Sequence, residues 1–194
     1  MAAEVKLVLA GLLSALLTCG IYEHVVNIEP NKCEMTYMYQ LPQYIGGLVA
    51  RAVYTNRSIT VSTVPLIITK ATPHTRPLVI LDQHLEQFYE KVNTYWTMER
   101  PFDLNDVVLV SIGGGRNDVQ VPTSHTHTPL ADIATTTSDV PSCWVTADHQ
   151  AIVWCRQLVL AVVRALFDCI DPHTLMLTTN RKLIVDVFDY HLSK

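Results

Sequence analysis

The chain has 194 residues, enough for one medium domain and a short additional segment. A formal net charge of −4, from 14 Lys and Arg against 18 Asp and Glu, and the lack of any basic tract exclude a protein that tracks nucleic-acid phosphates. Hydrophobic residues make up 49% of the chain and mean hydropathy is +0.21, high for a soluble domain, with part of the excess in one N-terminal run.

That run, Leu7 to Ile21, is broken only by Ser14, Thr18 and the glycines. At about fifteen residues it is shorter than the ~20 that span a bilayer comfortably and longer than most core helices. A signal anchor, a cleaved signal peptide and a buried helix all fit it. Lys6 is the only positive residue before it and has Glu4 nearby, so the charged flank is weak. Residues 22–45, with Pro30 and Pro42, read as a connecting segment.

Gly46 to Tyr54 reads as a helix whose opening, Gly46-Gly47-Leu48-Val49-Ala50-Arg51, has the form of the back half of a serine-hydrolase nucleophile elbow. In G-x-S-x-G the small residues after the serine let the next helix pack closely. With Gly46 on the final glycine of that pattern, Ile45 follows the nucleophile and Tyr44 occupies its place, so the serine is absent. Asn56-Arg57-Ser58 is an N-glycosylation sequon, meaningful only for a luminal segment. Val64 to Thr69 is a β-branched apolar run predicted as a buried strand, punctuated by Pro73 and Pro77.

From Ile80 to Trp96 the residues Leu81, Leu85, Phe88, Val92, Tyr95 and Trp96 recur at helical spacing, which predicts an amphipathic helix covering a sheet. Val107 to Ile112 is a second buried strand. Residues 113–147, rich in Gly, Thr, Ser and Pro, read as one long loop. Gln150 to Ile170 reads as a single helix, apolar nearly all round, with Asp148 or Thr146 placed to cap it. Lys182 to Tyr190 is predicted as a last strand. The alternation of strands and helices indicates an α/β sheet.

Asp118 follows the second strand through Gly113-Gly114-Gly115, and His149 stands at the start of the apolar helix. Asp before His is the order of an α/β-hydrolase triad, in which the acid fixes the histidine tautomer and the histidine carries the proton. A turn-capping Asp and a helix-terminal His are the plainer readings of the same residues. The glycines do not open a helix, since Val119-Gln120-Val121-Pro122 follows, and a dinucleotide site is disfavoured. His125-Thr126-His127 offers alternate histidines without a third ligand at a familiar spacing, so no metal is expected. His74, after the first strand, is placed to line a cleft. Cys19, Cys33, Cys143, Cys155 and Cys169 are odd in number and form no metal pattern. Cys155 and Cys169 on one helix cannot bridge, Cys33 and Cys143 could pair in an oxidising lumen, and small buried hydrophobes are the alternative.

Five segments carry a resemblance that covers most of the chain. They are Asn31 to Met38, Gly46 to Arg51, Leu66 to His74, Gly114 to Val121, and Trp144 to Cys155, which reads WVTADHQAIVWC. On these the chain resembles the GPI inositol-deacylase family, lipase-like proteins of the endoplasmic reticulum that remove the acyl chain from the inositol of GPI anchors. In that family a long block with early strands, the oxyanion loop and the G-H-S-M-G front of the elbow separates the first two segments. Here only Tyr39 to Ile45 lie between them. The resemblance implies a partial α/β-hydrolase, the C-terminal part of the sheet with its helices, preceded by an N-terminal membrane helix and ending before the family's later membrane spans. It implies residues 1–22 as signal anchor or signal peptide, 23–45 as a luminal connector and 46–194 as the incomplete hydrolase domain. Asp118 and His149 would be the catalytic acid and base, with no cofactor, GPI-anchored proteins or GPI lipid as substrate, and the bulk of the chain luminal at the endoplasmic-reticulum membrane. Without the serine, this polypeptide is expected to be inactive. A non-catalytic membrane-associated fragment is the alternative.

Overall fold

A computed structural model describes residues 46–56, 64–78 and 83–193. The expected membrane run Leu7 to Ile21, the connector, Tyr44, Ile45 and Cys33 lie outside the described residues. Among the described residues no helix is long and apolar enough to cross a membrane.

The centre is a three-stranded, fully parallel sheet of β1 (Leu66–Lys70), β2 (Val108–Gly113) and β3 (Ile133–Thr136), in that spatial order. Leu66 pairs with Val108 and Val110 with Ile133. Every residue of β2 is buried, as expected of a middle strand covered on both faces. Alternation along β2 then divides the core. Val108, Val110 and Ile112 face one layer, α4 (Ala151–Trp154), α5 (Arg156–Asp168) and α6 (Arg181–Ser193), through Ile152, Leu158, Val162, Ile184, Phe188 and Leu192. Leu109 faces the other, α1 (Gly46–Ala52) and α2 (Gln83–Glu99), through Leu48, Tyr89, Val92 and Trp96. The α/β reading therefore stands as a layered α/β domain with a parallel sheet.

Four expectations are corrected. Residues 113–147 are not one loop: they hold a 3-10 turn Gly115–Asn117, a one-turn helix α3 (Thr123–Thr126) and β3. β3 is a four-residue IATT segment, too short and too rich in threonine to announce itself, and it exists because β2 offers an edge of hydrogen-bonding groups. Lys182 to Tyr190 is helix, not strand, because Ile184, Phe188 and Leu192 recur every four residues and bury together, which overrides the β-branched Ile184-Val185. The helix expected over 150–170 breaks at Cys155, whose φ of −54° and ψ of 110° separate α4 from α5. Cys155 thus precedes α5 and Cys169 caps its other end. On α2, Tyr89 is buried in place of Phe88, which is exposed.

At the amino edge of the sheet, Asp132 gathers three donors. Its Oδ2 accepts from Arg100, just past α2, and from the Leu109 amide of β2 at 2.8 Å. Its Oδ1 accepts from Arg181 at the start of α6 at 2.6 Å. One buried carboxylate thereby ties both helical layers to the sheet.

Candidate active site

Asp118 and His149 project from the opposite, carboxyl edge, where open α/β sheets place their ligands. Asp118 leaves β2 through Gly113, Gly114 and the 3-10 turn, and His149 leaves β3 through residues 137–148. The two connections touch. The Ala147 amide donates to the Gly114 carbonyl at 2.8 Å, as does the Thr137 hydroxyl at 2.9 Å, and the Thr137 amide reaches the Gly113 carbonyl at 2.9 Å. A Cβ on Gly114 would stand 2.5 Å from the Ala147 carbonyl oxygen and 2.8 Å from the Asp118 Cβ. Only glycine lets the loops approach this closely. Gly115, at φ +80°, then turns the chain toward Asp118.

Both side chains are buried, and His149 Nδ1 lies 3.1 Å from Asp118 Oδ2. The other oxygen, Oδ1, accepts from the amides of Gln120 at 3.1 Å and Val121 at 2.8 Å. Since a carboxylate only accepts, Nδ1 carries the ring proton toward Asp118, and in the neutral ring the lone pair falls on Nε2. The carboxylate is held by backbone, and it holds the imidazole in one tautomer. Asp148 caps the helix that follows: its Oδ1 accepts from the amides of Gln150 at 2.9 Å and Ala151 at 2.7 Å. Of the two expected caps it is Asp148 that makes these bonds.

The small residue near the start of α1 is explained by packing. A Cβ on Gly47 would lie 2.5 Å from Thr72 Cγ2 and 2.9 Å from Thr69 Cγ2, so the start of α1 rests against the carboxyl end of β1. That end of α1 and the Asp118–His149 pair therefore share one edge of the sheet. Asn56 ends a 3-10 turn, Val53–Asn56, and the rest of its sequon lies outside the described residues.

His74 does not line a cleft. It is fully buried, its Nε2 is 2.8 Å from Thr69 Oγ1, and its carbonyl accepts from the Arg51 guanidinium at 3.0 Å. Burial, and then the Arg51 charge, push its pKa down to about 3. Arg51 is itself buried beneath Trp96, with its guanidinium carbon 5.7 Å from the ring centroid, and donates to Asn93 at 2.9 Å. Burial lowers its pKa to about 10. This cluster fastens α1 to α2 and to the segment after β1. His125 and His127 hold no metal-type cluster: among the described residues no group of three His, Cys, Asp or Glu side chains could hold an ion. His125 Nε2 instead accepts from Arg76 Nε at 3.3 Å.

The buried His74 makes stability depend on pH. Its ordinary pKa of about 6.5 applies in the unfolded chain, which takes up a proton below that value, whereas the folded chain resists protonation until about pH 3. The contribution is complete above pH 6.5 and is lost progressively as pH falls toward 3. Unfolding by denaturant is expected to show His74 contributing a loss of about 2 kcal/mol between pH 7 and pH 5. His74→Gln should flatten that part of the profile, and an unchanged slope would refute the assignment.

Residues 43–169 match the family model described as a PGAP1-like alpha/beta domain. The GPI inositol-deacylase of Xenopus laevis is 40% identical over 154 residues, which cover 76% of this chain and 16% of that protein. Its Rattus norvegicus counterpart is 39% identical over 155 residues, with the same coverages of 76% and 16%. That of Schizosaccharomyces pombe is 32% identical over 158 residues, 76% of this chain and 14% of that protein. The chain thus matches only a small part of these much longer relatives, and the span matched by the family model includes both Asp118 and His149. The chain belongs to the family of PGAP1-like alpha/beta domains.

Proposed function

We propose that this chain is the acid–base half of a serine hydrolase, a partial α/β-hydrolase related to the enzymes that remove the acyl chain from GPI inositol. The observation that supports this best is the buried Asp118–His149 pair, Nδ1 to Oδ2 at 3.1 Å, at the carboxyl edge of a parallel sheet. In the complete reaction a serine would attack the ester carbonyl. Nε2 of His149 would take its proton and then return a proton to the leaving inositol oxygen, while Asp118 steadies the imidazolium. No metal or cofactor is required by such a step. With tyrosine at the nucleophile position and the oxyanion loop absent, the chain by itself does not hydrolyse the ester.

Residues 46–194 form the incomplete hydrolase domain in this reading, with 1–22 as anchor or signal and 23–45 as connector. The bulk of the chain lies in the endoplasmic-reticulum lumen, where Asn56 would be glycosylated. A second reading, a non-catalytic membrane-associated fragment that binds partners, draws support from the exposed Leu160, Val163 and Phe167 along α5, beside exposed Val153 and Trp154 of α4.

The test compares deacylase-deficient cells expressing nothing, this chain, or the chain with a serine-bearing block restored between Ile45 and Gly46. Inositol-acylated GPI should persist with the chain alone and fall with the restored form. Deacylation by the chain alone would overturn the inactivity, and a folded but inert restored form would favour the second reading.

A further inference from the structure

Cys143 and Cys155, twelve positions apart, bring their sulfurs to 3.9 Å in the interior. The backbone is irregular at both. Cys143 closes a turn on the Val140 carbonyl at 3.0 Å and is flanked by Ser142 at φ 64° and Trp144 at φ 44°, two non-glycine residues in left-handed conformation. Cys155 is the point at which the apolar stretch 151–168 departs from helix, and neither proline nor glycine stands there to cause the break. Either irregularity alone would be a local oddity. Together they turn two small side chains toward each other.

We propose that Cys143 and Cys155 form a disulfide that closes the segment bearing His149 into a ring. A bond of about 2.05 Å requires the sulfurs to approach by a further ~2 Å from their 3.9 Å separation. Lys70, at the end of β1, lies close enough to Cys155 for the two to interact electrostatically. Burial, followed by negative charge on Cys155, pushes the Cys143 thiol up. The oxidant is a small-molecule disulfide such as oxidised glutathione, acting while the chain folds and the sulfurs are accessible. The Cys155 thiolate displaces one glutathione thiolate to give a mixed disulfide. The Cys143 thiolate then attacks the Cys155 sulfur and releases the second glutathione. The two thiol protons and two electrons pass to two glutathione thiols.

The pairing differs from the Cys33–Cys143 bridge considered from sequence, and it holds whether or not the hydrolase reading does. Its consequence for that reading would be positional. Asp118 pins the imidazole on one side, Asp148 caps the following helix, and the covalent ring would hold the loop between them without any contribution from a nucleophile.

The full chain, folded in a glutathione redox buffer and alkylated after denaturation, tests it by tryptic mass spectrometry. Both cysteines lie on the peptide Asn117–Arg156, Cys33 on Cys33–Arg51 and Cys169 on Ala165–Arg181. The expected result is an unalkylated Asn117–Arg156 lighter by two hydrogens, with Cys169 alkylated. Dithiothreitol should lower the melting temperature of the wild type by about 5–10 °C and leave Cys155→Ser nearly unmoved. Alkylation of both Cys143 and Cys155 in the oxidised sample, or a cross-link between Cys33–Arg51 and Asn117–Arg156, would overturn the proposal. Both readouts use the wild-type chain, so failure of the variant to fold leaves the test intact.

Discussion

In the form with the serine-bearing block restored, Asp118→Asn is expected to lower kcat about ten-thousand-fold while the protein stays folded. The direction follows from the hydrogen bonds at the carboxylate. Oδ1 accepts two backbone amides, from Gln120 and Val121, so an asparagine would keep its carbonyl oxygen there and turn its NH2 toward His149 Nδ1. The imidazole would then have to accept at Nδ1 and carry its proton on Nε2, leaving no lone pair for the serine proton. His149→Ala removes the base itself and should cost as much or more, and because the two residues act as one unit, the double variant should be little worse than either alone. The measurement is deacylation of inositol-acylated GPI by each restored variant. Loss that is fully additive across the double variant would show that the two residues act independently, and an Asp118→Asn form with near-normal kcat would show that the 3.1 Å pair is structural only.

Asp132→Ala is expected to destabilise the folded domain by about 3 kcal/mol, the largest effect anticipated from a residue outside the Asp118–His149 edge. The substitution leaves the Arg100 and Arg181 guanidiniums beside each other without their carboxylate and takes the acceptor from the Leu109 amide in a fully buried strand. Much of Arg181 is solvated, which limits its share, whereas Arg100 and the amide are not so placed. Denaturant unfolding should show the loss together with a melting temperature lower by about 6–12 °C. Asp132→Asn, which keeps an acceptor but no charge, should fall between. Equal stability of Asp132→Ala and wild type would mean that the three donors find water equally well.

Residues whose environment is set by their neighbours in sequence were legible from the chain alone. Two runs of β-branched apolar residues gave β1 and β2, because a strand buried on both faces needs no polar alternation. The 3.6-residue spacing from Leu85 to Trp96 gave α2, and Asp118 and His149 stood out by their order after the strands and by local motif.

Other features depended on partners remote in sequence. β3 is a strand only because β2 presents it with an edge, and α6 is a helix because Ile184, Phe188 and Leu192 find the sheet beneath them. His74 reads as a cleft residue until α1 and Arg51 bury it. Gly114 reads as a flexible turn residue, whereas its carbonyl and bare Cα are what draw the His149 loop against the Asp118 loop. Cys143 and Cys155 reveal nothing by spacing; their sulfurs meet only after the turn at Val140–Cys143 packs against the break between α4 and α5. The physical reason is the same in each case. Sequence periodicity reports which side of an element is apolar, but which element covers that side, and which polar groups are thereby enclosed together, is decided by packing between segments far apart along the chain.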